Sequence, residues 1–174
     1  MKSSQNLFLD IPLDLIKAQK LAYTPSSLTG HSFSKETESE EYGAFTFEMN
    51  GRRIKFRVGK ITPTKIGQFV TLWKRIRKGP ILPYDMADPV DLFVISVSKL
   101  GHFGQFVFPK SVLYEKGVIS KDGQGGKRAM RIYPSWDIAE NSQAKSTQAW
   151  QLLYFFEIPS AICVDITRIQ ALFS

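Results

Sequence analysis

Cysteine is nearly missing from this chain. Cys163 stands alone among 174 residues, so neither an intrachain disulfide nor a cysteine metal cluster can form. His31 and His102 are the only histidines, too few for a histidine-rich metal site, which leaves carboxylates as the ligands for a hard cation. Long apolar runs are missing too. The longest, 92–97 and 152–156, fall far short of the roughly 20 residues a membrane-spanning helix needs. The stretch 7–15 is broken by Asp10, Pro12 and Asp14 and is followed by no cleavage-like small residues, so no signal peptide is expected. These absences point to a cytoplasmic protein without a membrane span. No repeat or low-complexity segment appears.

The most informative absence is local. Between Met49 and Tyr84 there is no Asp or Glu, while ten cations occur: Arg52, Arg53, Lys55, Arg57, Lys60, Lys65, Lys74, Arg75, Arg77 and Lys78. The remaining 13 cations face all 16 acidic residues, so the formal charge of +7 comes from this block. Phe56, Phe69 and Trp73 are interleaved with the cations, which marks the block as folded rather than a loose tail. A folded polycationic surface calls for a polyanionic partner, most commonly nucleic acid, although a run of charge also serves as a plain solvated face.

The length and an apolar fraction of 43% fit one domain over 1–174: an N-terminal helix and loop at 1–39, a core at 40–156 and a C-terminal extension at 157–174. Residues 10–21 read as a short amphipathic helix with Pro12 in its first turn, 24–35 as a loop, and 36–41, with four glutamates, as one or two helical turns. Phe45, Phe47 and Met49 then alternate with polar residues, Asn50-Gly51 supplies a two-residue turn, and Ile54, Phe56 and Val58 alternate with Arg53, Lys55 and Arg57. This predicts a hairpin pairing Phe47 with Ile54 and Phe45 with Phe56 on its buried face, with the three cations exposed.

Thr62-Pro63, followed by Ile66, Phe69, Val70 and Trp73 at helical spacing, predicts a helix ended by Gly79-Pro80, with Phe69 and Trp73 in the core. Gly67 within it suggests close backbone approach. Residues 92–97 read as a central strand, turned at 99–104 into 105–108 as a second hairpin. A short helix at 111–116, a strand at 127–133 and a helix at 141–156 with Leu152 and Leu153 toward the core follow; the tail 159–174 fits strand or helix. The fold expected is α+β or α/β, a central mixed sheet of two hairpins plus a further strand, flanked by helices. The glycines at 123, 125 and 126 form a turn, since Lys127 lacks the spacing and following hydroxyl of a phosphate loop.

Six blocks in order, EYGAFTFEMNGRRIKFRVGKITPTKIGQFVTLWKR, GPILPYD, DPVDLFVISV, GQFVFPK, GKRAMRIYP and TQAWQ, resemble the MepB-like family over 40–155. The resemblance implies a cytosolic companion of a multidrug-efflux transporter and its repressor, with a nucleic-acid-binding fold akin to type II restriction endonucleases. Such folds hold Mg²⁺ or Mn²⁺ with an acid at the start of one strand and a Glu-x-Lys triplet on the next, sometimes with a helical Glu. The corresponding positions here are Asp91, the triplet Gln105-Phe106-Val107, and Glu41 or Glu40, with Lys60 or Lys110 as substitutes for the missing lysine. Gln105 is neutral and Val107 is apolar, so the metal signature is degraded and a cofactor is expected only for a nuclease.

Alternative readings stand beside these. Asp91 also fits a turn cap after Pro89, Gln105 a backbone partner, His102 a structural residue, and Trp136 either a base-stacking platform or a seal on the core edge. Three functions compete. The first is a protein that binds nucleic acid, duplex DNA in the first instance, through Arg52, Arg53, Lys55, Arg57, Lys60, Lys65, Lys74, Arg75, Lys127, Arg128 and Arg131. The second is a metal-dependent nuclease using Asp91 with Glu41 or Glu40, Lys60 and Gln105. The third is an accessory protein-interaction or small-molecule module linked to drug resistance.

Overall fold

The computed structural model describes residues 10–174. Its main sheet runs in the order β1 (Gly30–Lys35), β2 (Phe45–Met49), β3 (Arg52–Val58), β8 (Leu92–Lys99), β9 (His102–Pro109) and β11 (Phe155–Glu157), and the Asn50-Gly51 turn joins β2 to β3. Both turn residues have positive φ, 52° and 71°, as a twist-matched two-residue hairpin loop demands. β2 and β3 therefore pair Phe47 with Ile54 and Phe45 with Phe56, the register expected from the sequence. β3 pairs in parallel with β8, which turns into antiparallel β9. The sheet is thus mixed, with two hairpins at its centre. β1, within the segment read as a loop, forms one edge and β11 the other.

The apolar run of β8, interrupted by the buried Ser96, shows no alternation because both of its faces are buried. Leu92 and Val94 join one core with Phe45, Phe47, Ile54 and Phe56, while Phe93, Ile95 and Val97 join the other with Val70, Leu72 and Ile132. The first core is closed by α1 (Leu13–Ala18), a π-helical turn at Gln19–Tyr23 and the tail helix α4 (Ile166–Leu172), through Leu15, Tyr23, Ile169 and Phe173. The tail is therefore a helix, capped by Asp165, whose carboxylate accepts from the Arg168 N–H at 3.0 Å. The second core is closed by a smaller sheet of β4 (Lys60–Thr62), β5 (Lys65–Thr71) and β10 (Ala129–Ile132), in the order β10-β5-β4. A short hairpin, β6 (Trp73–Arg75) with β7 (Ile81–Pro83), and α2 (Lys110–Glu115) complete this side.

The helix expected after Thr62-Pro63 is not formed; residues 60–75 are strands. The inward positions are Gln68, Val70 and Leu72, each no more than 1% exposed, a period of two that the polar Gln68 conceals. Gln68 is satisfied there by donating to the Ser98 carbonyl at 3.1 Å. Gly67 lies at φ 81°, outside any right-handed helix, and a Cβ on it would stand 2.7 Å from the Ile132 carbonyl oxygen. The expected close approach is real, but it is strand on strand. Phe69 and Trp73 are in consequence only half-buried.

The late helix is shorter than expected. α3 (Ser142–Gln151) begins at Asn141, whose side chain accepts from the Ala144 N–H at 2.8 Å, and gives way to a 3-10 turn at Leu152–Tyr154 before β11. Leu153, expected in the core, is 64% exposed. Residues 36–41 likewise form only a 3-10 turn at Glu40–Tyr42.

Candidate nucleic-acid interface

The ten-cation block does not form one surface. Because both faces of the main sheet are covered, Arg57, expected on an open face, is 1% exposed and lies beneath the acidic segment. Its Nη1 and the Lys55 ammonium both contact the Glu36 carboxylate, the same Nη1 donates to the Phe56 carbonyl at 2.9 Å, and Nη2 donates to the Tyr84 hydroxyl at 3.1 Å. Lys74 pairs with Asp88 at 2.5 Å, Arg75 with Glu38 at 3.2 Å, and Arg53 lies 3.7 Å from Asp91. Lys60 sits 4.4 Å from the centre of the Tyr42 ring. Most of these groups border a cleft of about 610 Å³, where Lys55, Lys74 and Arg75 alternate with Glu36, Glu38 and Asp88. Carboxylates from outside the block thus neutralise much of it. Arg52, on the hairpin turn, is exposed and has no ion-pair partner among the described residues.

A second cleft, of about 700 Å³, lies between β5, β10 and α3. Lys65, Lys116, Lys127 and Arg131 line it, against the single acid Glu140. None of the four cations has an ion-pair partner among the described residues. Phe69, Tyr133 and Trp150 supply aromatic walls, with the Arg131 guanidinium 6.0 Å from the Phe69 ring and the Lys116 ammonium 5.5 Å from that of Trp150. Arg131 is steadied by donating to the Ile66 and Gly67 carbonyls at 3.3 and 3.2 Å. Gln151 holds the walls together. Its amide accepts from Tyr133 N–H at 2.9 Å and donates to the Arg131 carbonyl at 3.0 Å, so the side chain takes the place of a further strand at the β10 edge. Gln143 and Thr147 face the same cleft.

The division between the clefts is clear. Lys65, Lys127 and Arg131 meet at the second, whereas Arg53, Lys55, Lys74 and Arg75 border the first. Arg128 is exposed beside Lys127, its carbonyl accepting from the Leu72 N–H at 2.9 Å. Lys116 was not singled out in the sequence, because it lies in a short helix–loop segment far from the cationic block.

Most residues of the degraded metal signature are engaged elsewhere. Asp91 accepts from the Arg53 N–H at 2.8 Å and so ties the start of β8 to β3. Gln105 is fully buried. Its oxygen accepts from Tyr23 and its nitrogen donates to the Ser96 hydroxyl at 2.7 Å. Burial pushes the Tyr23 hydroxyl well above its ordinary pKa, so it stays a donor to Gln105. Glu40 pairs with Lys35 at 2.6 Å, and that hydrogen bond holds its carboxyl below the ordinary value. Glu41 makes no ion pair among the described residues, and Lys110 donates to the Met86 and Asp88 carbonyls at 2.7 and 2.9 Å. Among the described residues no three His, Cys, Asp or Glu gather as metal ligands. Trp136 seals the edge of the second core, stacked on His102 with centroids 5.0 Å apart, and His102 in turn meets Glu157 at 3.0 Å.

A single-domain α+β fold with a mixed sheet covered on both faces, carrying a cation-lined cleft, is the class these features define. The MepB-like family profile matches residues 36–157, and the chain belongs to that family. A crystal structure of MepB is 32% identical, the likeness covering 84% of this chain and 97% of that one at a TM-score of 0.72. The structure of a bacterial homing endonuclease, I-Ssp6803I, is 16% identical over 82% of this chain and 91% of that one at a TM-score of 0.41, too distant to bear on activity. No curated protein matches the sequence. No described helix is long and apolar enough to cross a membrane.

Proposed function

We propose that this protein binds nucleic acid, duplex DNA in the first instance, through the second cleft, in the cytoplasm and without cutting it. One observation carries the reading: Lys65, Lys116, Lys127 and Arg131 line the same cleft with no carboxylate partner among the described residues. Unpaired cations on a rigid wall release counterions from a phosphate backbone, whereas cations already held by carboxylates must first give up a partner. Arg128, beside Lys127, and Lys60, on the strand next to β5, extend the positive surface around it.

The polar lining suits contact with phosphates and sugars, and the aromatic walls suit an occasional splayed base. Nothing in it resembles a base-reading helix, so affinity depends weakly on sequence. Hydrolysis through Asp91 has no comparable support, since its carboxylate holds the Arg53 N–H and its would-be partner Gln105 is buried in a hydrogen-bonded chain. Fluorescence anisotropy with a labelled 20-mer, as duplex and as single strand, tests the proposal. Saturable binding at low salt that weakens as salt rises is expected, and absence of binding to either form refutes it.

A further inference from the structure

The first cleft has a charge imbalance at its inner end that the proposed interface does not use. Lys55 and Arg57 share one carboxylate, Glu36, and the three side chains are only 22%, 1% and 18% exposed. The triad therefore keeps one positive charge in excess while largely shielded from water, an arrangement that costs free energy unless an anion compensates it. Two donors are also unspent. The buried Arg57 Nε–H has no acceptor, and the Tyr84 hydroxyl, which accepts from Arg57, has no acceptor for its own proton among the described residues. Burial pushes the Tyr84 hydroxyl up to about 12, so it carries that proton at neutral pH.

The rest of the lining decides the size and charge of the partner. The half-buried Trp73 and the exposed Pro89 contribute apolar surface beside the triad. Glu38 and Asp88 on the same walls already hold Arg75 and Lys74, so the cleft has one surplus cation at the triad to offer, enough for a single negative charge but not for a polyanion or a dianionic phosphate monoester. A single negative charge attached to an apolar body matches both halves of the cleft. We infer that the first cleft binds a small organic monocarboxylate, with the carboxylate on Lys55 and the Tyr84 hydroxyl and an aromatic or aliphatic body against Trp73 and Pro89. This ligand is distinct from the nucleic acid assigned to the second cleft, and its site does not depend on that assignment.

Benzoate and indole-3-acetate are suitable probes, titrated into the full chain and followed by amide correlation NMR. Saturable shifts centred on Lys55, Trp73 and Tyr84 are expected, with the neutral benzamide weaker by about tenfold or more, as loss of a charge-assisted contact implies. Lys55→Met removes the excess cation and is expected to cost about tenfold in affinity for the carboxylates while leaving that for benzamide unchanged. Tyr84→Phe removes only the free hydroxyl proton, keeps the ring, and is expected to weaken benzoate by several-fold; it serves should Lys55→Met fail to fold. Equal affinity for benzoate and benzamide overturns the inference. So does absence of saturable shifts with both carboxylates, or an unchanged benzoate affinity in a folded variant.

Discussion

Neutralising two lysines of the second cleft together, Lys65→Gln and Lys127→Gln, isolates the proposed interface from the paired cations. If Lys65, Lys116, Lys127 and Arg131 each meet one phosphate, log K against log salt falls with a slope of about 3.6 on duplex and about 2.8 on a single strand. On duplex this is about 150-fold in affinity between 50 and 200 mM salt. The double variant retains two contacts, so its slope falls to about 1.8 and the same salt change costs only about 12-fold. Lys74→Gln with Arg75→Gln is the comparison. These cations are held by Asp88 and Glu38, and their loss is expected to leave the slope unchanged. The assay is anisotropy of a labelled duplex at four or more salt concentrations, with circular dichroism confirming that both variants fold. An unchanged slope in the Lys65/Lys127 variant, or a reduced slope in the Lys74/Arg75 variant alone, refutes the placement of the interface.

Gly51 and Gly67 both have positive φ, but a Cβ on Gly51 meets nothing within 4 Å whereas one on Gly67 meets the Ile132 carbonyl. Gly51→Ala is therefore expected to cost about 1 kcal/mol, about 2–4 °C in Tm, and Gly67→Ala about 3 kcal/mol or more; similar losses on urea unfolding would show the two sites to be equivalent. Gln105→Leu strips partners from the Tyr23 and Ser96 hydroxyls and is expected to destabilise the fold by about 2–4 kcal/mol, measured by the denaturant midpoint. Asp91→Ala is expected to cost about 1 kcal/mol through its lost bond to Arg53, and supercoiled DNA with Mg²⁺ or Mn²⁺ is expected to stay intact with parent and variant alike; metal-dependent nicking by the parent that the variant loses would reinstate a nuclease. Asp85 accepts from the Ala87 and Gly123 N–H groups and the Ser120 hydroxyl, which together hold its carboxyl down at about 2 from 3.8. Its folded pKa is depressed, so its contribution is complete above the unfolded value and is lost as pH falls from about 4 toward 2. Asp85→Asn should accordingly show a shallower acid decline in Tm over that range.

The fold was legible wherever a local rule acted alone. Asn50-Gly51 fixed one hairpin and its register because the turn geometry and the alternation of Phe45, Phe47, Ile54 and Phe56 agree. The run 92–97 announced a central strand, because such a position accommodates five apolar residues, interrupted only by Ser96, without alternation. The segment 62–78 misled because two signals were accidental. Thr62-Pro63 imitates a helix start while serving a β4–β5 turn, and Gln68, a polar residue in an inward position, masks the alternation with Val70 and Leu72. Only the tertiary partner, the Ser98 carbonyl, makes that inward glutamine tolerable, and the sequence does not display such a partner.

The candidate site was legible as charge but not as geometry, and the difference has a physical origin. A count of cations between 49 and 84 registers how many positive groups are made, whereas a binding surface depends on how many remain unpaired once distant carboxylates have folded onto them. Glu36, Glu38, Asp88 and Asp91 lie outside or at the margin of the block, yet they meet Lys55, Arg57, Arg75, Lys74 and Arg53. The second cleft assembles the converse way, bringing Lys65 from the block together with Lys116, Lys127 and Arg131 from segments of ordinary composition. Its one advance signal was the cluster Lys127, Arg128 and Arg131 following a glycine-rich turn. The β5–β10 pairing sets Arg131 opposite Phe69 and Met130 opposite Val70, and so draws that cluster alongside the strand that begins at Lys65. The pairing requires Gly67, the one residue on β5 whose lack of a Cβ lets the Ile132 carbonyl come so near. The glycine that suggested close backbone approach within a helix thus permits the strand pairing that brings the cationic cleft together.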